Sequence, residues 1–160
     1  MLAVSPQLRA LLQEFVHARL DVPDLLARAE LLLPPGTDSG AGILEILADA
    51  DLRLALPDGR QAFVRRLEQF AEGETSYTEL GLWCFGLGQT EALSPEATFT
   101  SNPETALLRE VMDWIEQWDD EAVRPRPEEV RELAQILARE KDPKRCLESL
   151  EEALARFGRL

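Results

Sequence analysis

The residues best suited to bind a partner lie in one short stretch, "DWIEQWDDE", which runs from Asp113 to Glu121. Trp114 and Trp118 stand one helical turn apart in it, and carboxylates surround them. Tryptophan is enriched among the anchors of protein interfaces, and a charged surface selects partners of opposite sign. The stretch therefore predicts a partner-binding surface made of Asp113, Trp114, Glu116, Trp118, Asp119, Asp120 and Glu121.

This surface has a purely structural alternative. Leu108, Met112 and Ile115 already supply an inward face of the same helix, which favours outward tryptophans. Negative charge at the C-terminal end of a helix is also unfavourable, and a local conflict of this kind often marks a functional site. In the alternative, both tryptophan rings are buried against the seventh helix and the acids form a solvated face.

The remaining reactive residues predict no catalytic centre. His17 is the only histidine, so a histidine-based metal site cannot be assembled, and we interpret it as a partly exposed helix residue. Cys84 and Cys146 are interpreted as small buried hydrophobic residues. We expect no cofactor, no metal ligand and no enzyme activity. Neighbouring carboxylates keep a metal-dependent enzyme as a further alternative, although a solvated face explains them better: Glu72 with Glu74, Asp49 with Asp51, and Asp119 with Asp120.

The net charge of −13 narrows the classes of partner. Nucleic-acid binding depends on Lys and Arg at the phosphates, so direct contact with DNA or RNA is excluded. A basic protein partner fits the charge, and so does a role in solubility alone. No apolar run approaches the roughly 20 residues of a membrane span. The N-terminus lacks the features of a secretory signal, and we predict a cytoplasmic protein.

Helical patterns dominate the chain and predict an all-α bundle of seven to eight short helices in antiparallel hairpins. A single domain over residues 1–160 is expected, with a subdivision into 1–90 and 101–160 around a loop at 88–102. Alternating Thr and Phe residues leave room for a short extended piece in that loop. The third helix is predicted over residues 41–56, with Ile43, Leu44, Leu47 and Leu54 inward.

The segment "GETSYTELGLWCFGLGQTEALSP" predicts structure in place of a site. Gly73 ends one helix, and the capping box of Ser76 and Glu79 starts the next at Tyr77. Four residues of this helix share one face and are predicted to be buried: Leu80, Trp83, Cys84 and Leu87. Gly86 and Gly88 are expected to end the helix.

A shift of 55 residues superposes two helix pairs. It places Leu12 on Leu67, Phe15 on Phe70 and the cap Asp21 on the cap Ser76. It also matches Asp24 with Glu79, Leu25 with Leu80 and Leu32 with Leu87. Two hairpins of one pattern would explain these matches, and so would coincidence among leucine-rich helices.

The segments "FVHARLDVPDLL", "YTELGLW", "VMDWIEQW" and "LESLEEALARF" together resemble small, acidic, all-helical bacterial immunity proteins, which neutralise a nuclease toxin by masking its basic site. The resemblance covers about the last two thirds of the chain. It implies an inhibitory surface of Glu and Asp that imitates phosphate, with Trp114 and Trp118 as anchors.

Three functions follow as hypotheses. The first is a non-catalytic, acidic protein-binding module, in its narrower form an inhibitor of a basic protein. The second is a structural or adaptor domain whose charge serves only solubility. The third is an enzyme that uses carboxylates alone.

Overall fold

A computed structural model describes residues 2–49, 51–94 and 102–159. These ranges contain eight helices, and their only β-type pairing is one isolated parallel bridge between Leu54 and Thr90. The helices are α1 (Pro6–Val16), α2 (Val22–Glu30), α3 (Ser39–Leu47), α4 (Gly59–Ala71), α5 (Tyr77–Leu87), α6 (Pro103–Gln117), α7 (Pro127–Arg139) and α8 (Pro143–Arg156). The predicted all-α bundle is confirmed.

Side-chain caps fix where most helices begin. In seven of the eight helices the residue before the helix accepts a hydrogen bond from a backbone N–H of the first turn. The caps are Ser5, Asp21, Asp38, Asp58, Ser76, Asn102 and Asp142. At α7 the bond runs the other way along the chain: the Glu129 carboxylate, inside the helix, accepts from the backbone N–H of Arg126, the residue before the helix, at 2.9 Å. These polar signals are local, which is why the sequence predicts them well.

The α4 helix lies at the centre of the bundle, where its most extensive contact is with α7. Around it α1 contacts α2 and α5, α5 contacts α6, and α8 contacts both α6 and α7. Buried side chains from all eight helices form one continuous hydrophobic cluster. Among the described helices, none is long and apolar enough to cross a bilayer.

The α5 helix has the predicted start and the predicted buried face. Ser76 and Glu79 form the capping box, and Trp83 is fully buried. Gly86, however, does not end the helix: it lies inside α5, and a Cβ there would approach Val16 Cγ1 to 3.3 Å. This glycine allows α5 to pack closely against α1, and Gly88 alone is the C-cap.

The third helix is shorter than predicted. It ends at Leu47, and Leu44 is 51% exposed where an inward side chain was expected. The chain turns after the helix, since Asp49 Oδ1 accepts a hydrogen bond from the Asp51 N–H at 2.9 Å. Aspartate competes for its own backbone in this way and disfavours the helix interior. A leucine-rich pattern alone did not reveal that interruption.

Leu54 is buried as predicted, but in an extended segment. Its N–H donates to the Gln89 carbonyl oxygen at 2.9 Å, and its own carbonyl accepts from the Glu91 N–H at 3.2 Å. The Gln13 side chain on α1 pairs with both backbone groups of Ala55. A short extended piece thus forms at residues 54 and 90, whereas the Thr and Phe alternation that suggested one lies mainly at 95–101, outside the described residues.

The two helix pairs related by 55 residues have the same turn. Ala18 and Gly73 both adopt a left-handed backbone, with φ of 59° and 81°. The next residue in each turn donates a backbone bond to the carbonyl five residues back, from Arg19 to Glu14 and from Glu74 to Gln69. The match fails at the far end, because Leu32 is 37% exposed and its counterpart Leu87 is fully buried. A duplication stays a prediction.

Side chains of α4 and α5 bind the C-terminal end of α1. Five backbone carbonyls at or just beyond that end accept hydrogen bonds from four side chains, which satisfies groups that a helix leaves unpaired. The bonds run from Arg65 to His17 (2.6 Å), from Arg66 to Phe15 (2.9 Å) and Leu20 (3.0 Å), from Gln69 to Ala18 (3.3 Å) and from Trp83 to Val16 (3.1 Å). We call this set the α1 carbonyl cluster. It gives Trp83 a structural role.

Candidate partner-binding surface

The two tryptophans of α6 are buried. Trp114 is 8% exposed and Trp118 is 3% exposed. The Trp118 ring lies 6.1 Å from that of Phe70, between centroids, and both tryptophans line a cavity of about 30 Å³ together with Leu154 and Arg159. The expectation of exposed aromatic anchors is therefore wrong. The alternative of burial is right, but the rings meet α8 and Phe70, whereas α7 was expected.

The tryptophans are buried because α6 packs against more than one neighbouring helix. Its contacts with α5 bury one face, and its contacts with α8 bury a second one. Trp114 and Trp118 lie beside Leu154 of α8, and with the buried Val111 and Ile115 they continue a spacing of three and four residues along α6. The sequence pattern defined one stripe, and only the neighbouring helix shows that the buried region is wider.

The carboxylates of the predicted surface do face solvent. Asp113, Glu116, Asp119, Asp120 and Glu121 are all exposed, and within the described ranges none of them forms an ion pair. Elsewhere in the described ranges a few acids do form ion pairs: Glu104 with Arg60 at 2.6 Å, Glu129 with Arg159 at 3.1 Å and Glu132 with Arg156 at 2.8 Å. We call these five exposed carboxylates the acidic surface.

Two side chains stabilise the end of α6 beneath the acidic surface. Arg124 Nε donates to the Trp118 carbonyl oxygen at 2.6 Å, and its guanidinium lies 4.5 Å from the centroid of the Tyr77 ring. The Tyr77 hydroxyl donates to the Glu116 carbonyl oxygen at 3.5 Å. A cation at this end opposes the unfavourable charge near the helix C-terminus. Tyr77 thus acts as a support of the surface.

The structure changes the titration of Glu116, a member of the acidic surface. Partial burial, and then the neighbouring charge of Asp113, raise the pKa of Glu116 above its ordinary value. A nearby cation would lower that pKa again, because it stabilises the ionised form. A positive partner would therefore offset the effect of burial on the Glu116 carboxylate.

An apolar pocket of about 330 Å³ lies between α5 and α6, beside the acidic surface. Phe85 is 45% exposed at this pocket, and Glu116 contributes to its wall. The other lining residues are Cys84, Gly88, Gln89, Leu93, Arg109 and Met112. Sequence reasoning missed the site. The only signal was an aromatic residue on the outward face of an apolar helix, which by itself is common.

The other reactive residues do not converge. Cys84 and Cys146 are buried free thiols, as predicted, and burial raises the pKa of both. His17 is half-buried at the end of α1, where burial and then Arg19 lower its pKa. Among the described residues, no group of three or more His, Cys, Asp or Glu side chains could hold a metal ion.

Comparisons with models of protein families, with curated proteins and with solved structures found no significant match to this chain.

Proposed function

We propose that this protein is a non-catalytic binding module that uses the acidic surface to bind a basic protein. The observation that carries the proposal is that five exposed carboxylates cluster at the end of α6 and form no ion pair in the described part of the chain. Uncompensated like charges destabilise a folded protein, and a basic partner would supply the missing cations.

The narrower form of the proposal is an inhibitor of the immunity type, which covers a basic site on a toxin or another nucleic-acid-binding protein. Its support is chemical: carboxylates on the last turns of a helix and in the turn that follows can occupy positions that phosphates would take on such a partner. Because the tryptophans are buried, they cannot anchor a partner. The carboxylates and the pocket between α5 and α6 beside them take that role. The buried free thiols fit a reducing compartment such as the cytoplasm.

The test is affinity capture from the native host, with identification by mass spectrometry. The surface variant carries Asp113→Asn, Glu116→Gln, Asp119→Asn and Asp120→Asn. The control variant neutralises four exposed acids elsewhere: Glu14→Gln, Glu30→Gln, Glu148→Gln and Glu151→Gln. Both variants have the same net charge, so only the position of the charge differs.

We expect the wild type and the control variant to capture the same basic protein, in a salt-sensitive manner. The surface variant should bind about tenfold more weakly, since exposed pairs contribute about 0.2–1 kcal/mol each and four are removed. Equal affinity and equal salt dependence of the two variants would contradict the proposal.

A second candidate function, an adaptor domain that binds through helix faces, has its own observation. Leu31 is 86% exposed just after α2, and Leu44 is 51% exposed on α3. If these leucines form the contact, Leu31→Ser with Leu44→Ser would abolish capture while the surface variant would retain it. The two functions are therefore separated by the same capture experiment.

A further inference from the structure

The pocket between α5 and α6 shares Glu116 with the acidic surface. Its floor is apolar: it is formed by Leu93, Met112 and Cys84, which are 1%, 7% and 2% exposed. Phe85 adds a large ring that stays nearly half in solvent. An opening of this size lies at the lower end of the range for ligand sites. It has room for a large side chain and the adjoining backbone.

We propose that this pocket receives an apolar side chain, aromatic or aliphatic, of a basic partner segment whose flanking Lys or Arg residues lie over the acidic surface. The inference rests on the proposed function and deepens it, since it states what kind of segment the acidic surface binds. It also replaces the anchors that the sequence suggested: the hydrophobic anchor belongs to the partner, and this chain supplies the cavity.

Charge complementarity selects this occupant. The pocket borders Glu116, and Asp113 precedes it by one turn of α6, so a cation beside the apolar group meets two carboxylates with no ion pair in the described part of the chain. Because Glu116 is exposed, the cation can reach it without a large desolvation cost. A hydrophobic anchor ringed by complementary charge is the usual anatomy of a protein contact.

The opposite end of the pocket carries a positive charge. Arg109 lies seven residues before Glu116, about 10 Å along the helix axis. Its guanidinium donates to the Ser94 carbonyl oxygen at 2.7 Å, which fixes it as part of the wall. The pocket therefore has a polarity, with basic residues of the partner on the Glu116 side and neutral or acidic groups on the Arg109 side.

The test measures the binding of three synthetic peptides to the full chain by nuclear magnetic resonance titration at low salt. The first peptide is acetyl-Lys-Lys-Phe-Lys-Lys-amide. The second has Gly in place of Phe and measures the charge contribution alone. The third keeps Phe but replaces each Lys by Ser, and measures the apolar contribution alone.

For the wild type we expect the Phe-containing basic peptide to bind about tenfold more tightly than the Gly peptide, since a partly buried Phe side chain is transferred from water. The neutral Phe peptide should bind weakest. Phe85→Ala should remove most of the tenfold advantage, and Phe85→Leu, which keeps an apolar wall, should retain most of it. Leu31→Ala is the matched control at another exposed apolar residue, and it should change neither affinity.

Two failures can be told apart. If the Phe and Gly peptides bind the wild type equally, and the surface variant weakens both, the pocket inference is wrong while the proposed function stands. If the surface variant binds both basic peptides as tightly as the wild type, the acidic surface is not a binding site and the proposed function fails with it. A shift of the Met112 methyl resonance with the Phe peptide alone would locate binding at the pocket.

Discussion

Arg66 is the most informative residue to change, because it is a charged side chain in the middle of the core. It is 1% exposed, and its guanidinium lies 5.3 Å from the Phe15 ring centroid and 5.5 Å from that of Trp83. Among the described residues no carboxylate forms an ion pair with it; it donates instead to the carbonyl oxygens of Phe15 and Leu20 and to Gln69 Oε1. The substitutions are Arg66→Met, which keeps the stem, and Arg66→Ala, which removes it.

The magnitudes follow from two opposing effects. Burial lowers the pKa of Arg66 from an ordinary 12.5 to about 10, which corresponds to roughly 3 kcal/mol against the charged form. Methionine removes that cost but leaves the Leu20 carbonyl without its donor, a loss of about 1–3 kcal/mol. The Phe15 carbonyl keeps a bond from the Ala18 N–H. We therefore expect Arg66→Met to lie within about 2 kcal/mol of the wild type.

Arg66→Ala also empties the space between the two rings. A change from a large to a small side chain in a core costs about 2–5 kcal/mol, so the alanine variant should unfold about 3 kcal/mol more easily than the methionine variant. The measurement is urea unfolding followed by tryptophan fluorescence. Arg131→Met, at an exposed position of α7, is the control and should leave the free energy of unfolding unchanged.

Two results would refute this reasoning. If Arg66→Met is as destabilised as Arg66→Ala, the polar bonds dominate and the packing of the stem contributes little. If Arg66→Ala unfolds within about 1 kcal/mol of the wild type, neither effect has the size that the burial and the contacts imply.

Further predictions concern two glycines and Glu116. A Cβ would meet nothing within 4 Å at either Gly73 or Gly81, so backbone conformation alone decides the effect of alanine there. Gly73→Ala, at φ 81°, should lower the free energy of unfolding by about 1 kcal/mol. Gly81→Ala, inside α5, should raise it by about as much. Changes of the same sign for both variants in urea unfolding would contradict this. The folded state raises the pKa of Glu116 above its ordinary value in the unfolded chain. At a pH between these two pKa values the folded state binds more protons than the unfolded state, so the free energy of unfolding falls as pH rises through that interval. Glu116→Gln should therefore be more stable than the wild type at pH 7 and lose that advantage below about pH 4, where both forms are protonated; an advantage that persists in acid would exclude this cause.

Local signals in the sequence were sufficient for the helix starts. Caps such as Ser76 and Asn102 act on backbone groups two or three residues away, and their geometry does not depend on the rest of the fold. The pattern of apolar residues was likewise sufficient for the buried face of α5. Where a residue's environment is set by its own helix, the pattern predicts it.

The candidate site could not be predicted as fully, because its structure depends on parts of the chain that are distant in sequence. Whether Trp114 is exposed is decided by α8, about forty residues later, and spacing within α6 cannot show that. The end of α3 at Leu47 depends on a competing side-chain bond of Asp49. The pocket is formed by α5, Leu93 and α6 together, so no single segment carries its pattern. The carboxylates were predicted correctly as exposed because charge opposes burial in almost any fold.

The α1 carbonyl cluster also determines how the molecule opens. Detaching the α1–α2 hairpin would remove at once the acceptors of Arg65 and Trp83 and both carbonyl acceptors of Arg66. It would also expose the Arg66 cation, which has no ion pair in the described core. Because these hydrogen bonds break together, partly detached states of the hairpin are unfavourable. The hairpin therefore cannot fray independently of α4. Amide hydrogen exchange in α1 should then require nearly the same free energy as exchange in α4, which makes the α1–α2 hairpin part of the most cooperative unit of the protein.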